Sequence, residues 1–241
     1  MIFYLKKSIF KSVLVVSLEF TQTIGILLQG KISSWTSDIV IQYQSIFPNA
    51  QILVSTWDDQ NTKDIPCDVV KSAAPPLPEP HKSTVNFQIV ECQTGLKKLK
   101  TDVIMKCRTD QFIHNKQIFK IFFNSCSKNQ IMVPDLGTPK NIDYRTSDFC
   151  QIAFRQTLLE FWENIPLYDG NNYEEAGVYL TKNYLLNVKN NHQLWNSVLD
   201  KYFCIKSFHD DFQIEWEKLN NSDEYRSIYD KGFVNRRLIN S

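Results

Sequence analysis

Hydrophobic positions in the first half of the chain switch repeatedly between a continuous run and a helical period. Ile24-Gly25-Ile26-Leu27-Leu28 is an apolar run ending in Gln29-Gly30, which predicts a strand buried on both faces and then a loop. From Thr36 onward, Ile39, Val40, Tyr43, Ile46 and Phe47 recur at helical spacing until Pro48-Asn49 ends the helix. Gln51 to Ser55 predicts a second strand and Cys67 to Val70 a third. Ala73 to Pro80 contains four prolines, which fix φ and remove donors, so it reads as a rigid loop. A helix through Ile89, Val90, Gln93, Leu96 and Leu99 precedes a strand at Asp102 to Lys106; a helix at Ile118 to Phe123 precedes a strand at Ile131 to Val133. This alternation predicts an α/β fold with a mostly parallel central sheet flanked by helices.

The second half reads as helical. Ile152, Phe154, Leu158, Leu159, Phe161 and Trp162 predict a helix capped by Ser147 or Asp148. Leu194, Trp195, Val198, Leu199, Tyr202 and Phe203 form an amphipathic stripe, and the polar C-terminal tail is expected at the surface.

Composition narrows the class. With 241 residues, 43% hydrophobic and 22% charged, the chain suits one medium domain with a substantial core. A net charge of +1 gives no overall pull on nucleic acid, so no nucleic-acid partner is expected and a bound anion needs a local site. The six cysteines show no C-x-x-C spacing, which points to reduced thiols rather than zinc or a disulfide framework. No apolar run is long enough to span a bilayer and no signal peptide is evident, so a cytoplasmic protein is expected. Phe3, Tyr4, Ile9 and Phe10 lie among Lys6, Lys7 and Lys11; this segment reads as a peripheral membrane contact or as an extra element packed on the domain.

Ligands of open parallel sheets bind beyond the carboxyl ends of the strands, which directs attention to the loops there. Lys106-Cys107-Arg108-Thr109-Asp110 places two cations and a carboxylate at period two, on one side of an extended segment. That set suits a diphosphate, with Asp110 able to ligate a hard metal, or else it is a solvated ion pair. Gln29-Gly30 is a close backbone approach or simply a turn, and Trp57 a stacking surface or a core edge. Glu174 and Glu175 lie in a polar loop from which a general base could come. The four histidines lack ligand spacing.

In order, these segments resemble the WavE lipopolysaccharide synthesis family of GT-A type glycosyltransferases. The resemblance rests on Ile26 to Gly30, Phe47 to Trp57, Asn86-Phe87-Gln88, Thr94-Gly95-Leu96 and Lys106 to Asp110. It continues through Ser147-Asp148-Phe149, Phe161-Trp162, Ile165-Pro166 and Glu174-Glu175, covering residues 24–188. It implies an N-terminal extension (1–22), a GT-A-like catalytic domain (23–190) and a C-terminal helical segment packed on it (191–241). It also implies transfer of a sugar from a nucleotide-diphospho-sugar donor to a glycan or lipid-linked saccharide acceptor.

Carried over residue by residue, the resemblance puts Gln29, Gly30, Ser55, Thr56, Trp57, Asn86, Gln88, Lys106 and Arg108 at the nucleotide-sugar. Asp110 would hold Mn²⁺ or Mg²⁺, and Asp148 and Glu174 are the catalytic candidates. Two departures stand out: Phe87 occupies a position where the family tends to have Arg, and Asp58-Asp59 follow Trp57. Arg108 replaces the first carboxylate of the Asp-x-Asp pattern, so weak metal dependence is expected. The competing expectations are a sugar-phosphate nucleotidyltransferase, disfavoured by the single Gly and single Lys in Gln29 to Ser33, and a non-catalytic scaffold of the same fold.

Overall fold

The computed structural model describes residues 21–219. Seven strands form one sheet in the order β3-β2-β1-β4-β7-β6-β8. They are β1 (Ile24–Gln29), β2 (Gln51–Trp57), β3 (Asp68–Ser72), β4 (Val103–Arg108), β6 (Ile131–Pro134), β7 (Gln151–Phe154) and β8 (Phe203–Lys206). A second, two-stranded sheet pairs β5 (Gln111–Ile113) with β9 (Ile214–Trp216). β1, β2, β3 and β4 run parallel, β8 runs parallel to β6, and only β7 is antiparallel to both its neighbours. This is the mostly parallel, helix-flanked α/β sheet expected of a GT-A-like fold.

Alternation along the central strands sends side chains to two cores. Ile26, Leu28, Val54, Met105 and Cys107 face α1 (Thr36–Ile46) and α3 (Ile118–Ser125). Leu27, Leu53 and Ile104 face α2 (Val85–Lys98), α4 (Arg155–Glu163) and α6 (Trp195–Tyr202). Both faces are covered, which is why β1 reads as an unbroken apolar run. α5 (Ala176–Asn183) continues the second layer through Leu180.

Two sequence expectations change. The stretch after Asp148 does not enter a helix: Gln151–Phe154 is β7, and α4 starts only at Arg155 with no side-chain cap. The apolar residues there are shared between two elements, since Ile152 and Ala153 are buried on opposite faces of the sheet while Leu158 and Trp162 belong to α4. Asp148 is therefore not a helix cap. The C-terminal part is helical, but β8 and β9 also come from it; β8 extends the main sheet as partner of β6, a pairing that short strands do not announce locally. The expectations for the N-terminal extension and the polar tail fall largely or wholly outside the described residues. Among the described residues, no helix is long and apolar enough to cross a membrane.

The register places the site. Ser55, Gln29 and Arg108 lie in one row across β2, β1 and β4, and Lys106 sits opposite Leu27 and Gln151 two rows behind. Because β7 runs antiparallel, its first residue lies beside the carboxyl end of β4, and the Ser147–Cys150 segment leading into it crosses that edge. α2 is drawn tightly onto the same face at Gly95, where an added Cβ would collide with the Leu27 side chain and lie 3.2 Å from the Ser55 Cβ. Gly95→Ala should thus lower stability by about 1–2 kcal/mol in urea unfolding, against the ~1 kcal/mol gain expected from helix propensity alone. A stabilised variant would show that α2 does not press on β1 at this point.

Candidate functional site

The carboxyl edge of β1 and β4 is stitched together by backbone. Gly30 has φ +132°, a conformation side chains disfavour, and its N–H donates to the Ser55 carbonyl at 3.1 Å. The Thr109 N–H donates to the Gln29 carbonyl at 3.1 Å, the Thr109 hydroxyl to the Lys31 carbonyl at 2.5 Å, and the Thr36 hydroxyl to the Thr109 carbonyl at 3.1 Å. The loops after the two strands thus form one rigid rim.

Beneath the rim lies a polar cluster in the α2 layer. Lys106 is fully buried; its ammonium donates to the Asp148 carbonyl and stands 5.0 Å over the Trp162 ring. Gln88 Nε2 donates to the Asp148 carboxylate at 2.7 Å, and Trp162 Nε1 donates to Gln151 Oε1 at 2.9 Å. Asp148 is thereby fixed from two directions, through its main chain by Lys106 and through its side chain by Gln88. Gln88, Glu91, Cys92 and Gly95 fall on one face of α2 at spacings of three and four, the face turned to the sheet, with the exposed N-cap Thr84 one turn before Gln88. Glu91 is 2% exposed and its Oε1 has no hydrogen-bond partner; Gln88 Oε1 and Gln151 Nε2 are likewise buried without partners. Burial pushes the Glu91 carboxyl up to about 8, with Lys106 and Arg108 nearby opposing the shift only in part. Sequence reading passed over Glu91 and Gln151; the available signal was a carboxylate beside Cys92 on the apolar stripe of a predicted helix.

Arg108 and Asp110 do not continue the alternation that the sequence suggests. β4 ends at Arg108, the chain turns at Thr109-Asp110 into β5, and Asp110 folds back onto Arg108. Arg108 Nε lies 2.9 Å from Asp110 Oδ1 and its Nη2 donates to Oδ2 at 3.3 Å, while Trp216 Nε1 donates to Oδ2 at 3.1 Å. The guanidinium stacks 5.5 Å over the Trp216 ring and keeps 31% of its side chain exposed. Lys106, by contrast, points away from solvent, so the two cations reach different places.

Both carboxylate oxygens of Asp110 are engaged, and a guanidinium stands where a second carboxylate would have to be. Among the described residues, no group of three His, Cys, Asp or Glu side chains is placed to hold a metal. As arranged, these residues do not fit a divalent cation.

The other expected binding residues are mostly tied into packing. The Ser55 hydroxyl donates to the Glu91 carbonyl at 2.8 Å, and Gln29 Oε1 faces the Cys92 thiol. Thr56 is buried with its hydroxyl unpartnered, and Trp57 meets Phe87 edge-on at 5.2 Å. Asn86 clamps Tyr168, donating to its carbonyl at 2.9 Å and accepting from its N–H at 2.7 Å. Glu174 lies apart from this cluster, beside an open cleft of about 490 Å³ and paired with Lys182 at 3.1 Å.

The raised Glu91 carboxyl carries a sign. The native state holds a proton there that the unfolded chain has lost, so this residue makes stability fall as pH rises from about 4.5 to about 8. Glu91→Gln should remove that slope and raise stability at pH 7 by about 3 kcal/mol, read from urea unfolding at several pH values. An unchanged pH profile would mean that Glu91 is ionised in the folded protein.

No curated sequence matches the chain. Among solved structures, a glycosyltransferase involved in glycosylation of the PBCV-1 major capsid is 11% identical, with TM-score 0.41 over 77% of this chain and 82% of that one. Glucosyl-3-phosphoglycerate synthase from Mycobacterium tuberculosis, solved with Mn²⁺, UDP-glucose and phosphoglyceric acid, is 13% identical, with TM-score 0.45 over 77% and 69%. The 4-diphosphocytidyl-2C-methyl-D-erythritol synthase of Anaerococcus prevotii is 11% identical, with TM-score 0.44 over 78% and 88%. Likenesses this remote bear on no residue of the site. A family model described as WavE lipopolysaccharide synthesis matches residues 27–239. The chain therefore belongs to the WavE lipopolysaccharide synthesis family.

Proposed function

We propose that this protein transfers a sugar from a nucleotide-diphospho-sugar to a hydroxyl of a glycan or lipid-linked saccharide, with Asp148 as the general base. The observation that carries this reading is the double fixation of Asp148 beside the carboxyl end of β4, by Lys106 through its carbonyl and by Gln88 through its carboxylate. A carboxylate with no cap to make, oriented by buried Lys106 and half-buried Gln88, is suited to take a proton from a positioned hydroxyl.

In the reaction, the anomeric C–O bond to the diphosphate breaks and a bond forms to the acceptor oxygen. The hydroxyl proton passes to Asp148, and the nucleoside diphosphate leaves with the electron pair. Its accumulating charge needs a counter-charge. Arg108 is the partly exposed cation at the rim, and opening of its pair with Asp110 would free the guanidinium for bidentate contact with phosphate oxygens. Lys106 is a positioning residue that holds the Asp148 segment and adds positive potential from below. Gly30 and the backbone of the β1 rim would border the nucleotide. A divalent ion, where used, would supply the same neutralisation, but at Asp110 it would sit beside the Arg108 guanidinium, a like charge, with no second carboxylate among the described residues to share it. The resemblance favours transfer over nucleotidyl chemistry, and the loop after β1 lacks the Gly-rich basic run that the latter uses.

Incubation with a panel of UDP-, GDP- and dTDP-sugars should release the nucleoside diphosphate from at least one donor, and EDTA should leave most of that release intact. Arg108→Ala should lower kcat/KM by about 100-fold, an effect of the size seen when one charge-stabilising group is removed. Asp148→Asn, which keeps the Gln88 contact, should lower kcat by at least ~100-fold with little change in nucleotide affinity. Complete loss of activity in EDTA, restored by Mn²⁺, would return Asp110 to the role of metal ligand.

A further inference from the structure

We propose that the open cleft between the Pro75–Pro80 loop, the start of α2 and the Tyr168–Ala176 segment is the acceptor subsite. It would take a pyranose ring stacked on Tyr173, with its hydroxyls donating to Glu174 and Glu175. This rests on the transferase reading and gives that reading a second half.

The cleft holds about 490 Å³, within the range of small-molecule sites, and its lining combines aromatic rings with carboxylates. Tyr173 is 76% exposed, with the His81 ring edge-on to it at 6.2 Å. An aromatic face left in water beside a cleft is available to the apolar C–H face of a sugar, an amphipathic match that leaves the ring hydroxyls free for polar partners. Those partners are present and oriented. Glu174 Oε1 is held by Lys182 at 3.1 Å and Glu175 Oε2 by Arg145 at 3.0 Å, which fixes each carboxylate and leaves further lone pairs to accept hydroxyl donors.

The walls are fixed before any ligand arrives. Gly170 lies so close to the Glu79 backbone that an added Cβ would stand 2.7 Å from its carbonyl oxygen, and the His81 N–H donates to the Gly170 carbonyl at 3.1 Å. Asn86 holds Tyr168 through both main-chain groups. A preformed cleft avoids most of the ordering cost of binding.

Two connections lead from the cleft to Asp148. Thr84 lines the cleft, and Gln88, one helical turn or about 5 Å further along α2, donates to the Asp148 carboxylate. On the other side, Gly177 in the first turn of α5 approaches the Thr146 carbonyl so closely that an added Cβ would lie 2.5 Å from it, and the Thr146 and Thr181 hydroxyls are hydrogen-bonded at 2.5 Å. Thr146 is two residues before Asp148. The cleft wall at Thr84 is thus one helical turn from the residue that holds the Asp148 carboxylate, and α5, which begins at the lining residue Ala176, packs on Thr146, two residues before Asp148.

The test is saturation-transfer NMR on the full chain with lactose, maltose, cellobiose and N,N′-diacetylchitobiose, alongside thermal shift with UDP and GDP on the same samples. At least one disaccharide should receive saturation, and Tyr173→Ala and Glu174→Gln should each weaken its binding by about fivefold or more. Nucleoside-diphosphate shifts should be unchanged in both variants. Absence of transfer to all four sugars, or undiminished binding by Tyr173→Ala, overturns the subsite. Sugar binding that depends on Tyr173 without any nucleoside-diphosphate shift supports a saccharide cleft and overturns the donor reading instead.

Discussion

A lysine ammonium with no exposure to water organises this molecule. Removing such a charge from solvent costs several kcal/mol unless it is well partnered, so whatever surrounds Lys106 must stay in place. Its partners are the Asp148 carbonyl and the Trp162 face. They tie β4, the segment entering β7 and α4 into one arrangement, and Gln88 on α2 closes it through the Asp148 carboxylate. Every element that meets the carboxyl edge of the sheet from the α2 side therefore touches Lys106 or a residue that does.

The same constraint accounts for Glu91. A carboxyl buried on the sheet-facing stripe of α2, held largely in its neutral form near neutral pH, adds little counter-charge to Lys106. Under the proposed function, a donor diphosphate would supply the charge that a neutral Glu91 does not. Arg108 is held in reserve differently, by an ion pair and an indole stack at the rim, where partial solvent exposure makes the pair weaker than a buried one. One cation is permanent and structural; the other can exchange partners.

The two helices bordering the proposed acceptor cleft connect it to this centre by geometry alone. Along α2, successive turns pass from Thr84 at the cleft to Gln88 at Asp148 and on to Glu91 near Lys106. A substrate on the cleft side and a phosphate on the rim side would meet over Asp148. That arrangement is a property of helical repeat and close packing at Gly177.

Local pattern was enough to determine the strands β1, β2, β4 and β6 and the helices α1, α2, α3 and α6, because each carries its own period of burial. It also determined the strand-end loops where charged residues gather, since parallel sheets direct ligands there. It misassigned the start of β7, where a four-residue strand and a helix share one apolar run and no turn residue separates them. Only tertiary structure decided that Asp148 is free of capping, that Lys106 is sealed inside while Arg108 is not, and that Asp110 is spent on Arg108 and Trp216. These depend on which residues distant in sequence become neighbours: β9 brings Trp216 to β4, and antiparallel β7 brings Asp148 to the carboxyl edge. Period along a chain records how deeply a side chain is buried; the identity of what it is buried against is a matter of strand order, which no local pattern contains.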